Sequence, residues 1–162
     1  MSNPNGYSAP QIWLHWLVAL LIVPQYLLNE PIAQAWRALE RGRAITPSAW
    51  ISLHVAVGVV LLALVAWRVL LRRLRGAPLP PAAESRALQL IGKLTHGLLY
   101  LLLVALAASG GVAWFLEVEA AAEFHEVATT LLLVLVGLHV LGALYHQFVL
   151  KTDVLSRMKR PD

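Results

Sequence analysis

Four long apolar stretches divide the chain of 162 residues: 12–28, 49–71, 94–116 and 124–150. An α-helix needs about 20 residues to cross a bilayer, and each stretch comes near or passes that length. The first, IWLHWLVALLIVPQYLL, is close to the short end. The last is long enough to tilt or to project beyond the lipid. The pattern predicts helices over 11–28, 49–71, 93–116 and 123–150. Between the first two, PIAQAWRALERG (31–42) reads as a short amphipathic helix ended by Gly42. GAPLPPAAESRA (76–87) reads as a loop, because its prolines deny a regular helix. Pro24 is expected to kink the first helix, a tolerated feature of spanning segments. The expected fold is all-α, an integral membrane four-helix bundle in a single domain over 1–162, with no internal repeat.

Composition agrees with this pattern. Hydrophobic residues make up 59% of the chain and charged residues only 14%, too apolar for an ordinary soluble domain. Charge then gives a direction. Loop 72–93 and the tail 151–162 hold nine of the thirteen Lys and Arg, whereas loop 117–123 holds none. By the positive-inside rule both termini and the 72–93 loop are expected in the cytoplasm, which fits a bacterial inner membrane. The pI near 9.9 is thus an orientation signal and does not indicate nucleic-acid binding. Trp13, Trp16, Trp36, Trp50 and Trp114 fall near run ends, as an interfacial belt would place them. AQA at 33–35 resembles a signal-peptide cleavage site, but residues 1–11 carry no basic charge and the apolar run is long, so a retained span is expected. The chain has no cysteine, which excludes disulfides, thiolate-bound iron–sulfur clusters and a CxxCH haem attachment. It also has no glycine-rich phosphate loop and no GxSxG elbow.

The chemistry lies in the histidines. All six, His15, His54, His96, His125, His139 and His146, fall in or at the edge of the apolar runs. Imidazole is costly in lipid, and a single one there is more often an interhelical hydrogen-bonder than a ligand. Here, however, three form a stripe. On a helix, fourteen residues return to within about 40° of the same face and seven to within about 20°, so His125, His139 and His146 share one side. His125 and His139 are about 21 Å apart along the axis, too far for one metal ion. Two flat cofactors stacked through the membrane would suit that spacing. Depth suggests His54 with His125 on the outer side and His15 with His139 on the inner side, giving two bis-histidine b-type haems. His15 with His146 and His54 with His139 is the alternative pairing, and helix ends read from sequence cannot separate the two.

IWLHW (12–16), SLHVAVG (52–58), LTHGLLYLLL (94–103), FHEV (124–127) and GLHVLGALYH (137–146) together resemble the prokaryotic cytochrome b561 family of four-helix dihaem proteins of the bacterial inner membrane. The resemblance covers nearly the whole chain and extends to the cytochrome b subunits of formate dehydrogenases and nickel–iron hydrogenases. It implies that the haem ligands are His15 and His139 on the inner side and His54 and His125 on the outer side. It leaves His96 and His146 near the cytoplasmic side, where a quinone would bind. In members that are superoxide oxidases, superoxide gives an electron at the outer haem and ubiquinone is reduced at the inner one. A neutral histidine can donate a hydrogen bond to a quinone oxygen and relay a proton, which suits both residues. The plainer role for His146 is to cap the helix end.

Arg68, inside the second run, either pairs with a haem propionate or snorkels to the interface. Gly110–Gly111 reads first as a helix-packing site. Arg37, Arg41 and Arg43 would lie near the outer haem, where a positive patch attracts anionic superoxide. Against that, Glu30, Glu40, Glu117, Glu119, Glu123 and Glu126 make the outer side net negative, so any steering must be local. The expected function is electron transfer between the outer face and the quinone pool, in its most specific form superoxide oxidation coupled to ubiquinone reduction. An electron-transfer subunit linking quinone to a redox protein is the second reading. A histidine-using transporter of metal ions or protons is the third. A homodimer is compatible with a bundle of this size, and membrane lipid is the expected surround.

Overall fold

The computed structural model describes residues 4–81 and 84–162; residues 1–3, and Ala82 and Ala83 of the expected 76–87 loop, lie outside the described residues. Five α-helices follow in order: α1 (Ala9–Leu27), α2 (Glu30–Glu40), α3 (Ala49–Arg75), α4 (Arg86–Leu116) and α5 (Glu119–Phe148). A 3₁₀ turn over Ser156–Met158 follows, and no strand occurs among the described residues. All but α2 are long and apolar enough to cross a membrane.

Local chemistry sets the helix ends. Before α1, the Gln11 carboxamide oxygen accepts from the Ser8 N–H at 3.0 Å, and Pro10 sits in the first turn, where its missing N–H costs nothing. Pro24 lies inside α1, which continues to Leu27. The Ser48 hydroxyl accepts from Trp50 N at 3.3 Å to start α3, and the Ser85 hydroxyl accepts from Leu88 N at 3.4 Å to start α4. The second cap explains one departure from expectation. The α4 helix begins at Arg86, not at 93, because RALQLIGK (86–93) is helical although Arg86, Gln89 and Lys93 break its apolar run. The expected loop therefore stops short of Arg86. Likewise α3 runs to Arg75, past the apolar limit at 71, and ends at Gly76. The α2 helix ends at Glu40, and Gly42 follows at φ +62°, a left-handed conformation that favours glycine.

The α4 helix has 31 residues. That is about 46 Å at 1.5 Å per residue, more than the roughly 30 Å hydrocarbon core, so one end stands clear of the lipid. Only small clusters are buried: Val18, Leu61 and Val65 where α1, α3 and α4 meet, and Leu106, Ala128 and Leu132 between α4 and α5. The exterior is apolar, with Trp13 75% and Leu27 76% exposed. An exterior of this kind suits lipid as solvent.

Neighbouring helices pack as α1 on α3, α3 on α4, α4 on α5 and α2 on α3. The flank of α5 that faces α1 is more widely spaced and is bridged by side chains. Tyr26 hydroxyl donates to Thr129 O at 2.6 Å, and the His15 and His139 rings meet lower down.

One end of the bundle gathers the amino-terminal segment, the α3–α4 connection and the carboxyl-terminal segment. Gln11 Nε2 donates to Gly76 O at 3.0 Å. Asp162 N donates to Tyr7 O at 3.0 Å, Trp16 Nε1 to Met158 O at 2.8 Å and an Arg157 guanidinium nitrogen to Leu79 O at 2.8 Å. The segments that the charge pattern assigns to a common side thus share a face.

Candidate functional site

Histidines occupy two levels of the bundle. Near the α4–α5 turn, His125 lies in the second turn of α5, and His54 of α3 lies at the same level, because adjacent α1 residues reach both helices there: Gln25 donates to the His54 carbonyl at 3.2 Å and Tyr26 to the Thr129 carbonyl at 2.6 Å. His125 Nδ1 is 3.0 Å from the Leu106 carbonyl of α4. A carbonyl can only accept, so Nδ1 carries the proton and Nε2 keeps its lone pair. Ser109 Oγ donates to the same carbonyl at 3.2 Å. The ring lies against the α4 backbone at Gly110, where a Cβ would come within 2.9 Å of His125 Cε1. Gly110 therefore does more than admit a neighbouring helix: it makes room for this imidazole.

His54 is held differently. Its Nδ1 is buried without a hydrogen-bond partner among the described residues, as is Oε1 of Gln25 on α1. Gln25 Nε2 donates to the His54 carbonyl at 3.2 Å. Both residues line a cavity of about 220 Å³ with Pro24, Trp50, Leu53 and Val57.

At the other level the His15 and His139 ring centres are 6.1 Å apart, at 67°. His96 of α4 stands edge-on to His139 at 5.1 Å, its Nδ1 donating to the Gly92 carbonyl at 2.6 Å. Arg68 of α3 turns inward. Its guanidinium donates to Gln11 O at 3.3 Å, to His15 Nδ1 at 3.3 Å and to Tyr100 OH at 3.4 Å, and it lies 5.8 Å from the centre of the Tyr100 ring.

His146, two turns beyond His139, points elsewhere. Its Nδ1 is 3.0 Å from Thr152 Oγ1 and its Nε2 is 3.4 Å from Glu84 Oε1, a carboxylate whose side chain is only 7% exposed. His96 and His146 thus face different neighbours. Arg37, Arg41 and Arg43 are all exposed, and Arg37 is paired with Glu30 at 2.7 Å. Gln34 and Arg37 both hydrogen-bond the Glu30 carboxylate and hold its pKa below the usual range. Sequence reasoning passed over Gln25 and Glu84. A lone amide inside the first apolar run is a signal for Gln25, whereas nothing in the proline-rich loop marks Glu84.

This donor set fits haem iron. Two imidazoles on one metal need two bonds of about 2 Å each plus roughly 1 Å from each nitrogen to its ring centre, about 6 Å in all. The His15–His139 spacing matches that span. His125 has its Nδ1–H fixed by a carbonyl and its Nε2 free to ligate, the arrangement usual for a metal-bound histidine. By contrast, no group of three or more His, Asp and Glu side chains among the described residues converges as a site for a bare metal ion.

Comparison with known proteins agrees. The family model described as prokaryotic cytochrome b561 matches residues 6–161. Cytochrome b562 of Cereibacter sphaeroides is 34% identical over 99% of this chain and 99% of that protein. The probable superoxide oxidase CybB of Yersinia pestis is 30% identical, with 94% of each chain covered. The apolar helices, the paired imidazoles and this end-to-end match lead to one conclusion: the chain belongs to the prokaryotic cytochrome b561 family, multi-pass membrane proteins that carry b-type haem and transfer electrons.

Proposed function

We propose that the chain is a dihaem cytochrome of the bacterial inner membrane that passes electrons from the periplasmic face to the quinone pool, with superoxide as donor and ubiquinone as acceptor. The observation that carries this reading is the disposition of α5, which brings His139 to 6.1 Å from His15 between ring centres at one level and carries His125 at the level of His54 at the other. The relative named as a probable superoxide oxidase supports the choice of donor. Both termini and the α3–α4 connection lie in the cytoplasm in this reading, following their basic residues.

His15 and His139 hold the inner haem, and His54 and His125 the outer. Bound haem supplies reversible one-electron transfer at iron. Two superoxide anions each give up one electron and leave as O₂, and the two electrons with two cytoplasmic protons convert one ubiquinone to ubiquinol. Arg68 anchors the inner haem. Ligation through His15 Nε2 puts a proton on Nδ1, so the guanidinium that now donates to Nδ1 must find another acceptor, and a propionate suits it. His96, with Nδ1–H tied to Gly92 O, keeps Nε2 as a base, which accepts from a quinol hydroxyl or, once protonated, gives its proton to the reduced quinone oxygen. His146, with its Nε2 paired to Glu84, belongs to the cytoplasmic border of the quinone site in this reading and exchanges protons there. Arg41 and Arg43 give local attraction to superoxide, while Glu30 offsets the charge of Arg37.

That ion pair also favours a second reading. With Arg37 offset by Glu30, five further Glu face Arg41 and Arg43 on the outer side, and the surface is better suited to a basic redox protein than to a small anion. The chain would then be an electron-transfer subunit linking quinone to that protein.

The test is a haem count by pyridine haemochrome on the purified chain, followed by turnover with superoxide and ubiquinone. Two b haems per chain and ubiquinol formation by the purified protein are expected. One haem or none would overturn the ligand scheme. Two haems without turnover would favour the subunit reading.

A further inference from the structure

Two polar atoms on neighbouring helices lack partners although they are complementary. His54 Nδ1 and Gln25 Oε1 are both buried, and neither has a hydrogen bond among the described residues. Gln25 is already anchored beside His54, since its Nε2 donates to the His54 carbonyl at 3.2 Å, and both residues border the same cavity of about 220 Å³. The other histidines show what is missing. His96 Nδ1 donates to the carbonyl four residues back on its own helix, and His125 Nδ1 to a carbonyl of the neighbouring helix. His54 does neither. A histidine that ligates iron through Nε2 has a proton on Nδ1, and that proton needs an acceptor.

We infer that Gln25 is the positioning residue of the outer haem: its carboxamide oxygen accepts the Nδ1–H of His54, directly or across one water molecule, and so fixes the plane and basicity of that ligand. The cavity has room for the side-chain adjustment or for the water. Pro24 and Gln25 border the cavity together, so α1, which supplies His15 to the inner level, would also govern the outer one. The inference rests on His54 being a haem ligand. Its chemical consequence is specific. An acceptor on Nδ1–H gives the imidazole more anionic character and stabilises ferric iron, so removing the acceptor raises that haem's midpoint potential and strengthening it lowers the potential.

The experiment is a spectroelectrochemical titration of the haem-loaded, detergent-purified protein, with haem counted in each sample, for the parent, Gln25→Leu, Gln25→Glu and His54→Ala. Gln25→Leu is expected to keep two haems and raise one midpoint. Gln25→Glu is expected to lower the same midpoint. Each change should be about tenfold in the redox equilibrium, or 59 mV for a one-electron couple. The second midpoint should stay in place in both. Loss of one haem in Gln25→Leu, with retention at a lower potential in Gln25→Glu, would equally support the assignment. Unchanged midpoints, shifts of the same sign, or loss of haem in both variants would overturn it, the last two marking a purely structural role. His54→Ala separates the premise: if it retains both haems, His54 is not a ligand and the inference falls with that reading. If it loses one while the Gln25 variants are silent, only the role of Gln25 fails.

Discussion

At Gly110 a single hydrogen atom keeps the His125 ring against the α4 backbone, because a Cβ there would come within 2.9 Å of the imidazole. Gly110→Val should therefore displace the ring and remove the outer haem while the inner haem spectrum survives, as a haem count with reduced-minus-oxidised spectra would reveal. His139→Ala should lose the inner haem. Retention of both haems in that variant would contradict the pairing. His146→Ala should keep both haems yet slow quinone reduction by about 10²-fold, the scale of a lost proton relay. At this scale the histidines were legible from residue type and spacing, since an imidazole in an apolar run needs a reason to be there. Their hydrogen bonds were not. Whether Nδ1 of His125 meets a carbonyl depends on how α4 lies against α5, and the burial of Glu84 against His146 depends on a loop without periodicity.

Among the elements, α2 bears on how charge reaches the outer site. Its Glu30–Arg37 pair lies on the exposed surface, so it orders charge and adds little stability. Glu30→Gln should raise superoxide turnover at low ionic strength by about 2-fold, and salt should abolish the gain, because exposed charges are screened within about 8 Å at physiological ionic strength. Stopped-flow rates against salt would check both parts. The Glu30 carboxyl has its pKa lowered in the fold, so whatever the pair contributes is fully present above the ordinary carboxylate range and is lost as pH falls through the depressed value. An NMR titration of Glu30 should show that depression shrink in Arg37→Gln, the part held by the Gln34 hydrogen bond remaining. Element boundaries were less legible than element existence. RALQLIGK and the basic end of α3 are helical but interrupted by charged or amide side chains, so an apolar count truncates both, whereas Ser85 as a cap would have pointed to Arg86.

Across the whole molecule, the sharing of one face by the amino-terminal segment, the α3–α4 connection and the carboxyl-terminal segment makes sidedness testable. The chain has no native cysteine, so introduced ones report cleanly. In intact spheroplasts an impermeant maleimide should label Arg43→Cys, while Lys159→Cys should react only after the membrane is opened. The reverse result would invert the proposed orientation. This arrangement was foreshadowed by the uneven distribution of Lys and Arg, but the contacts that tie Asp162 to Tyr7 and Arg157 to Leu79 join residues far apart in the chain and follow from no local pattern. The loose flank of α5 has a consequence for biogenesis. The α5 helix is packed closely on α4 but reaches α1 mainly through Tyr26 and the two inner imidazoles. The cofactor would then act as a late rivet: the newly inserted chain could form its helical pairs unaided, yet the seam between first and last spans would close only on haem delivery, leaving cells short of haem with an open form exposed to membrane quality-control proteases.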